Sequence, residues 1–270
     1  MQAGATILGG LLLAACSHAL RPPAASDPGT QPEVADPSVT MYLETKRREL
    51  QENVATLQML GLARDVGPFL ALIQERRSLE AVPVLGGTAA QRAEVVEVLE
   101  ATAAQYLASV GMTLAGAIAA EEAGLDVAAS AARVVSGGAE FRDLVAVSES
   151  VVLGTVQDVR RETEPVQFTA SILPTRAVPP ADGTIVFSGA LPGAVESGQR
   201  CVFFLSRSLA RFRSARRGDA AVADEVAQQF EPYCLIGGSY VSLDHHHEGR
   251  VSAAEVSRAL EARRHASAGR

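Results

Sequence analysis

The sequence predicts an α+β chain: an antiparallel helical domain, then a small five-stranded β-barrel, then a C-terminal helix. Three observations predict it. Apolar residues recur every three or four positions from about residue 37 to 136, the period of a helix with one buried face. From about 140 they alternate with polar ones, the period of a half-buried strand. Between the second set of runs stand Gly, Pro and Asp clusters, which turn chains between strands.

The chain opens on an apolar run, "ATILGGLLLAA" at 5–15, closed by "LAAC" at Leu13–Cys16. The run has signal-peptide length and is too short to cross a bilayer as a permanent helix. Leu13–Cys16 resembles the lipobox of bacterial lipoproteins, which implies that 1–16 is a signal peptide with its lipobox and that Cys16 is the lipidated first residue of the mature chain. "MQAG" carries no Lys or Arg before the apolar run, a departure from the usual signal pattern. Residues 17–36, rich in Pro, Ala and Ser, cannot build a core and are expected to form a flexible tether.

Residues 37–137 form the expected helical domain. Asp36-Pro37 is an N-cap followed by Pro at the first helical position, and Leu43, Leu50, Val54 and Leu57 line one face of the first helix, which ends near Gly61. A second begins around Asp65, tolerates Pro68 in its first turn, and presents Phe69, Leu70 and Ile73. "AVPVLGG" at 81–87 is the loop before Thr88, which with Gln91 makes a capping box for a helix carrying Val95, Val96, Leu99, Ala103, Tyr106, Leu107 and Val110. Two shorter Ala-rich helices, roughly 113–123 and 126–136, complete the bundle. Residues 101–120 hold no charge over a spanning length. They are mostly Ala, Gly, Ser and Thr, however, which give little insertion free energy, and tight helix packing is the preferred account.

Residues 140–264 form the expected β domain, with strands in "SVVLGTVQDV" (150–159), "VQFTASIL" (166–173), "GTIVFSG" (183–189), "RCVFFLSR" (200–207) and "YCLIGGSYVSL" (233–243). "FRDLVAVSESVVLGTVQDV", "FTASIL", "GTIVFSGA", "VESGQRCVFFLSR" and "GGSYVSLD" with "EGRV" together resemble the netrin-like, OB-fold-like β-barrel of exported bacterial proteins. That barrel is distantly similar to the N-terminal domain of tissue inhibitors of metalloproteinases. The resemblance covers about 140–252 and implies a binding module. Those inhibitors ligate protease zinc through an N-terminal Cys, and none stands at the start of this domain, so inhibitory chemistry is not carried over.

A long insertion at 208–232 departs from that family pattern. It opens on "RSLARFRSARR", in which Arg207, Arg211, Arg213, Arg216 and Arg217 gather. Arg211, Arg213, Arg216 and Arg217 are a candidate anion-binding set for lipid head groups or acidic envelope polymer. The plainer reading is a solvated loop offset by Asp219, Asp224 and Glu225.

Cys201 and Cys234 fall on two different expected strands. Outside the cytoplasm they are expected to pair, a bridge stabilising by roughly 3 to 4 kcal/mol; otherwise they are two buried free thiols, since spacing alone does not bring Cα atoms within bonding range.

"LDHHHEGRVSAAE" at 243–255 is the most chemically loaded stretch. As a calcium loop it offers Asp244, His246, Glu248, Gly249, Ser252 and Glu255, but imidazole stands where calcium wants oxygen, and a strand precedes where a helix is needed. His245, His246 and His247 suit zinc or nickel, yet three consecutive residues rarely reach one ion and the HExxH pattern is missing. The preferred reading is structural: Leu243 ends a strand, the polar residues and Gly249 turn the chain, and Ser252 caps a helix through Val256 and Leu260.

Composition narrows function. Lys and Arg total 24 against 31 Asp and Glu, a net of −7 with 4% aromatics and no Trp, which argues against nucleic acid as a partner. No Gly-x-Ser-x-Gly elbow, phosphate-cradling glycine loop or Cys-x-x-Cys occurs, and His18, His245, His246, His247 and His265 are the only imidazoles, few for a triad. The expectation is a non-enzymatic, lipid-anchored envelope protein without a cofactor, held to the membrane by its lipid and presenting a surface to another protein or an envelope polymer. The alternatives are a zinc- or calcium-binding envelope module built on 244–255 and an extracytoplasmic hydrolase with dispersed carboxylates.

Overall fold

Asp36 caps the first described helix: its Oδ1 accepts the Ser38 N–H at 2.8 Å, and Pro37 occupies the first helical position, where no N–H is needed. The computed structural model describes residues 34–76, 87–122, 124–163, 166–189, 195–218, 225–243 and 249–268. Helix α1 spans Pro37–Met59. A 3₁₀ turn at Ala63–Asp65 leads into α2, Val66–Arg76, which buries Phe69 completely. Helix α3, Ala89–Ser109, starts on the expected Thr88/Gln91 capping box. Gln91 does more than cap: its Oε1 accepts the N–H groups of both Thr88 and Asp36 at 3.0 Å, and its Nε2 donates to the Asp36 carbonyl at 3.1 Å.

That tie sets the helix directions and corrects one expectation. The starts of α1 and α3 are joined at Asp36 and Gln91, their middles where Gln105 Nε2 donates to the Leu50 carbonyl at 3.1 Å, and their ends where Leu57 packs on Ala108. The two longest helices described therefore run parallel, not antiparallel. Helix α4 (Leu114–Glu122) leaves α3 at a bend of 102° after Gly111, whose φ of +77° only glycine adopts freely. The uncharged run at 101–120 is thus split, and Ala103, Ala104, Leu107, Ala108, Ala117 and Ala120 are all at 0% exposure. No single helix among the described residues is long and apolar enough to cross a membrane.

Helix α5 (Val127–Ser136) is capped by Asp126 and stopped by Gly137 in the left-handed region. A further helix, α6 (Phe141–Val147), was not expected from sequence; the Glu140/Asp143 capping box begins it.

The β-rich part is one seven-stranded sheet rather than the expected five strands. Strands β1 (Ser150–Thr163), β2 (Val166–Val178), β3 (Ile185–Gly189), β4 (Arg200–Ser206), β5 (Ala227–Ile236), β6 (Ser239–Ser242) and β7 (Arg250–Val251) lie in the order β3-β2-β1-β4-β5-β6-β7. One parallel contact, Ser188 with Ala227, brings β3 to β5 and closes β1–β5 into a partial ring. One additional strand arises because the run at 233–243 is a hairpin, folded at Gly237-Gly238 with φ of 58° and 85°, the conformation a two-residue hairpin loop demands; the other is β7, which pairs with β6. The expected long insertion is likewise structured at both ends. Its arginines belong to helix α7 (Arg207–Arg217), and its last residues, from Ala227, are already β5.

Alternation along the strands sorts their side chains. Val152, Val156, Ala170, Ile172, Phe187, Phe203 and Leu205 fill the inside of the ring with Cys201 and Cys234. Val151, Leu153, Val202, Phe204, Tyr233 and Tyr240 face outward, under Phe141 and Leu144 of α6 and under Val256 and Leu260 of helix α8 (Ala253–Ala268). Phe230 joins this outer layer to the helices, lying 5.8 Å from the Phe204 ring and 6.2 Å from Tyr106.

Candidate binding cleft

Where α5 turns into α6, the chain passes Gly137 and Gly138, and this corner faces β7 and the first turns of α8 across an open cleft of about 800 Å³. The volume lies within the range of small-ligand and peptide-segment sites. Each wall is fixed by a local device. On one side Asp143, 1% exposed, accepts from Arg133 Nε, the Ser130 hydroxyl and the Glu140 N–H, each at 2.9 Å. Burial alone would raise the Asp143 carboxyl; these hydrogen bonds and the Arg133 charge instead hold it below the usual carboxylate range. On the other side Ser252 and Glu255 cap α8 reciprocally: the Glu255 carboxylate accepts the Ser252 N–H at 2.8 Å and its hydroxyl at 2.7 Å. The same two hydrogen bonds keep Glu255 below its ordinary value.

The floor is aromatic. Tyr233, 3% exposed, meets Phe141 edge-on at 4.9 Å between ring centroids. Gly249 lies over the Tyr233 hydroxyl so closely that a Cβ would stand 2.6 Å from it, so only glycine fits while the ring is held by Phe141. Around the rim stand Arg142, Arg250 and Arg258. Arg142 is engaged by Glu140 at 3.1 Å, and the Arg258 charge acts on Glu255. Three guanidiniums against the two carboxylates of Glu140 and Glu255 leave the rim with a net positive charge above an apolar floor, the chemistry for holding an anionic ligand.

The residues singled out in the sequence have separate fates. Cys16, the rest of the expected signal segment and the expected tether up to residue 33 lie outside the described residues. Cys201 and Cys234 face each other across β4 and β5 with Cα atoms 4.0 Å apart, and they are bonded; both are fully buried. Arg211, Arg213, Arg216 and Arg217 do not lie in a loop. They project from α7, which starts on the Ser206 hydroxyl, ends at Gly218 and buries Ala210, Phe212 and Ser214. Phe212 inserts between Leu57 and Ala108, and the Arg216 guanidinium lies 6.0 Å above its ring. Asp244, His245, His246, His247 and Glu248 lie outside the described residues. Glu255, the last position of the proposed calcium loop, is the partner of Ser252.

Sequence reasoning reached Gly249, Ser252 and Glu255 but not Arg142, Arg258 or Tyr233 as cleft residues. No short-range pattern links positions 137–142, 233 and 249–259; the register of β5, β6 and β7 brings them together. Compared with known families, curated proteins and solved structures, the chain matches none.

Proposed function

We propose that this chain is an exported, lipid-anchored protein of the bacterial cell envelope whose folded part is a binding module rather than an enzyme. The observation that carries the reading is the Cys201–Cys234 bridge, wholly buried between neighbouring strands. Structural disulfides form and persist outside the reducing cytosol, and the same compartment is the one that the Leu13–Cys16 lipobox addresses. The arrangement of the ring supports a netrin-like, OB-type barrel within the sheet. Five strands ordered β3-β2-β1-β4-β5 close through a parallel contact between β3 and β5, and OB-type barrels are likewise small, partly open five-stranded rings that serve as ligand-binding scaffolds. Strands β6 and β7 and helix α7 are additions to that plan. The cleft beside β7 is the binding surface in this reading, since arginines stand around an apolar floor there.

Expression of the full chain in a bacterium, followed by fractionation and mass spectrometry of the N-terminal peptide, tests the reading. The expected result is an acylated Cys16 terminus in the membrane fraction, lost to the soluble fraction in Cys16→Ser. Recovery of an unacylated peptide beginning at Met1 from the intracellular soluble fraction overturns it.

A further inference from the structure

The binding reading leaves the ligand open, and the edge of the sheet narrows it. Strand β7 ends the strand order. In the β6–β7 ladder Val241 stands opposite Arg250 and Tyr240 opposite Val251, and the Ser242 N–H reaches the Gly249 carbonyl at 2.8 Å. Antiparallel ladders alternate between bonded and non-bonded pairs. With Gly249 in a bonded pair, Arg250 falls in a non-bonded one, so its backbone N–H and C=O point away from β6, toward the open side. Arg250 is also a lining residue of the cleft. Facing it across the cleft are Gly137 and Gly138, both exposed, which without side chains let another backbone approach closely.

Resting on the proposal that the cleft is a binding surface, we propose that it takes an extended acidic peptide segment of a partner protein, which adds to the edge of β7 as one more strand. Main-chain hydrogen bonds to Arg250 supply the docking, the general mode of strand addition. Charge complementarity selects the sequence: around the edge the guanidiniums of Arg142, Arg250 and Arg258 outnumber the carboxylates of Glu140 and Glu255. A chain with a net charge of −7 that gathers three guanidiniums at one cleft excludes acidic segments elsewhere on its surface and admits them there. Alternate residues of the added strand face the Phe141–Tyr233 floor, so apolar side chains between the acidic ones fit best.

The test is fluorescence anisotropy with the full disulfide-bonded chain and four labelled hexapeptides: alternating Glu and Val, alternating Lys and Val, and two forms of the Glu/Val peptide, each with its backbone N-methylated at alternate positions in one of the two registers. The expected result is binding of the Glu/Val peptide at least tenfold tighter than the Lys/Val peptide. Arg142→Glu and Arg258→Glu, both exposed and outside the core, weaken it tenfold or more, and one of the two possible N-methylation registers abolishes it. Binding that ignores N-methylation in both registers overturns strand addition. Equal binding of phosphatidylglycerol vesicles through the same arginines, or no capture of the Glu/Val peptide at millimolar concentration, overturns the peptide assignment. Acylation of Cys16 is unaffected by these outcomes, so a failure here is distinguishable from a failure of the envelope reading.

Discussion

Arg133 holds Asp143 at two points, with Nε on Oδ2 at 2.9 Å and Nη2 on Oδ1 at 2.5 Å. The pair spans the corner between α5 and α6 and so sets the position of Gly137–Arg142, one wall of the cleft. Removing the cation strands a buried carboxylate. Arg133→Met is therefore expected to destabilise by about 3 kcal/mol, the lower end for breaking a buried pair, since the Arg133 side chain keeps 34% exposure. Urea unfolding followed by circular dichroism measures it.

The same carboxylate gives the fold an acid-sensitive component. Asp143 is held below its ordinary value in the folded state, so the unfolded chain binds its proton more readily. The stabilisation is complete above the unfolded value of about 3.9 and is lost as pH falls through the lower folded value. Urea midpoints taken across the acid range are expected to fall more steeply for the native chain than for Asp143→Asn. Parallel slopes would remove Asp143 from the account.

Cys201 and Cys234 close a loop of 33 residues. Cys201→Ala combined with Cys234→Ala is expected to lower stability by roughly 3 to 4 kcal/mol through the unfolded state. Because both sulfurs are fully buried, a reductant without denaturant is expected to leave the bridge intact. Alkylation and intact-mass measurement, with and without urea, checks both points.

Thr88 and Gln91 separate a local cap from a long-range tie. Thr88→Ala removes one cap acceptor and is expected to cost about 1 kcal/mol. Gln91→Ala also frees the Asp36 N–H and C=O, and about 2 kcal/mol is expected from the additional lost hydrogen bonds. Differential scanning calorimetry of the two variants gives the order, and a smaller loss for Gln91→Ala would refute the tie.

Gly249→Ala places a methyl group against the Tyr233 hydroxyl. With Phe141 and Phe204 packed on the Tyr233 ring, the ring has little room to yield. A cost of about 1 to 3 kcal/mol follows from such overpacking, read from a thermal melt.

Local chemistry was legible in the sequence and tertiary chemistry was not. Asp36-Pro37, Thr88 with Gln91, and Ser252 each announce a helix start within four residues, and the structure starts α1, α3 and α8 there. "FRDLVAV" carries Phe, Leu and Val in a spacing short enough to pass for strand; Arg133, ten residues upstream of Asp143, is what holds it as α6. The arginines hid α7: five charged positions in eleven residues read as a solvated run, although Ala210 and Phe212 are buried. The start of β5, "AQQFEP", holds Ala227, Glu231 and Pro232, weak strand formers. It is a strand because β4 lies alongside and pairs with it. The cleft could not be read at all, since its walls come from segments a hundred residues apart and meet only through the β5–β6–β7 register.

Phe230 sits at a seam. One ring, touching Tyr106 on the helical side and Phe204 on the sheet side, welds the two layers, and Val147 and Phe212 add stitches on either flank. Heat that loosens one layer uncovers the apolar face of the other, so a single thermal transition is the expected outcome.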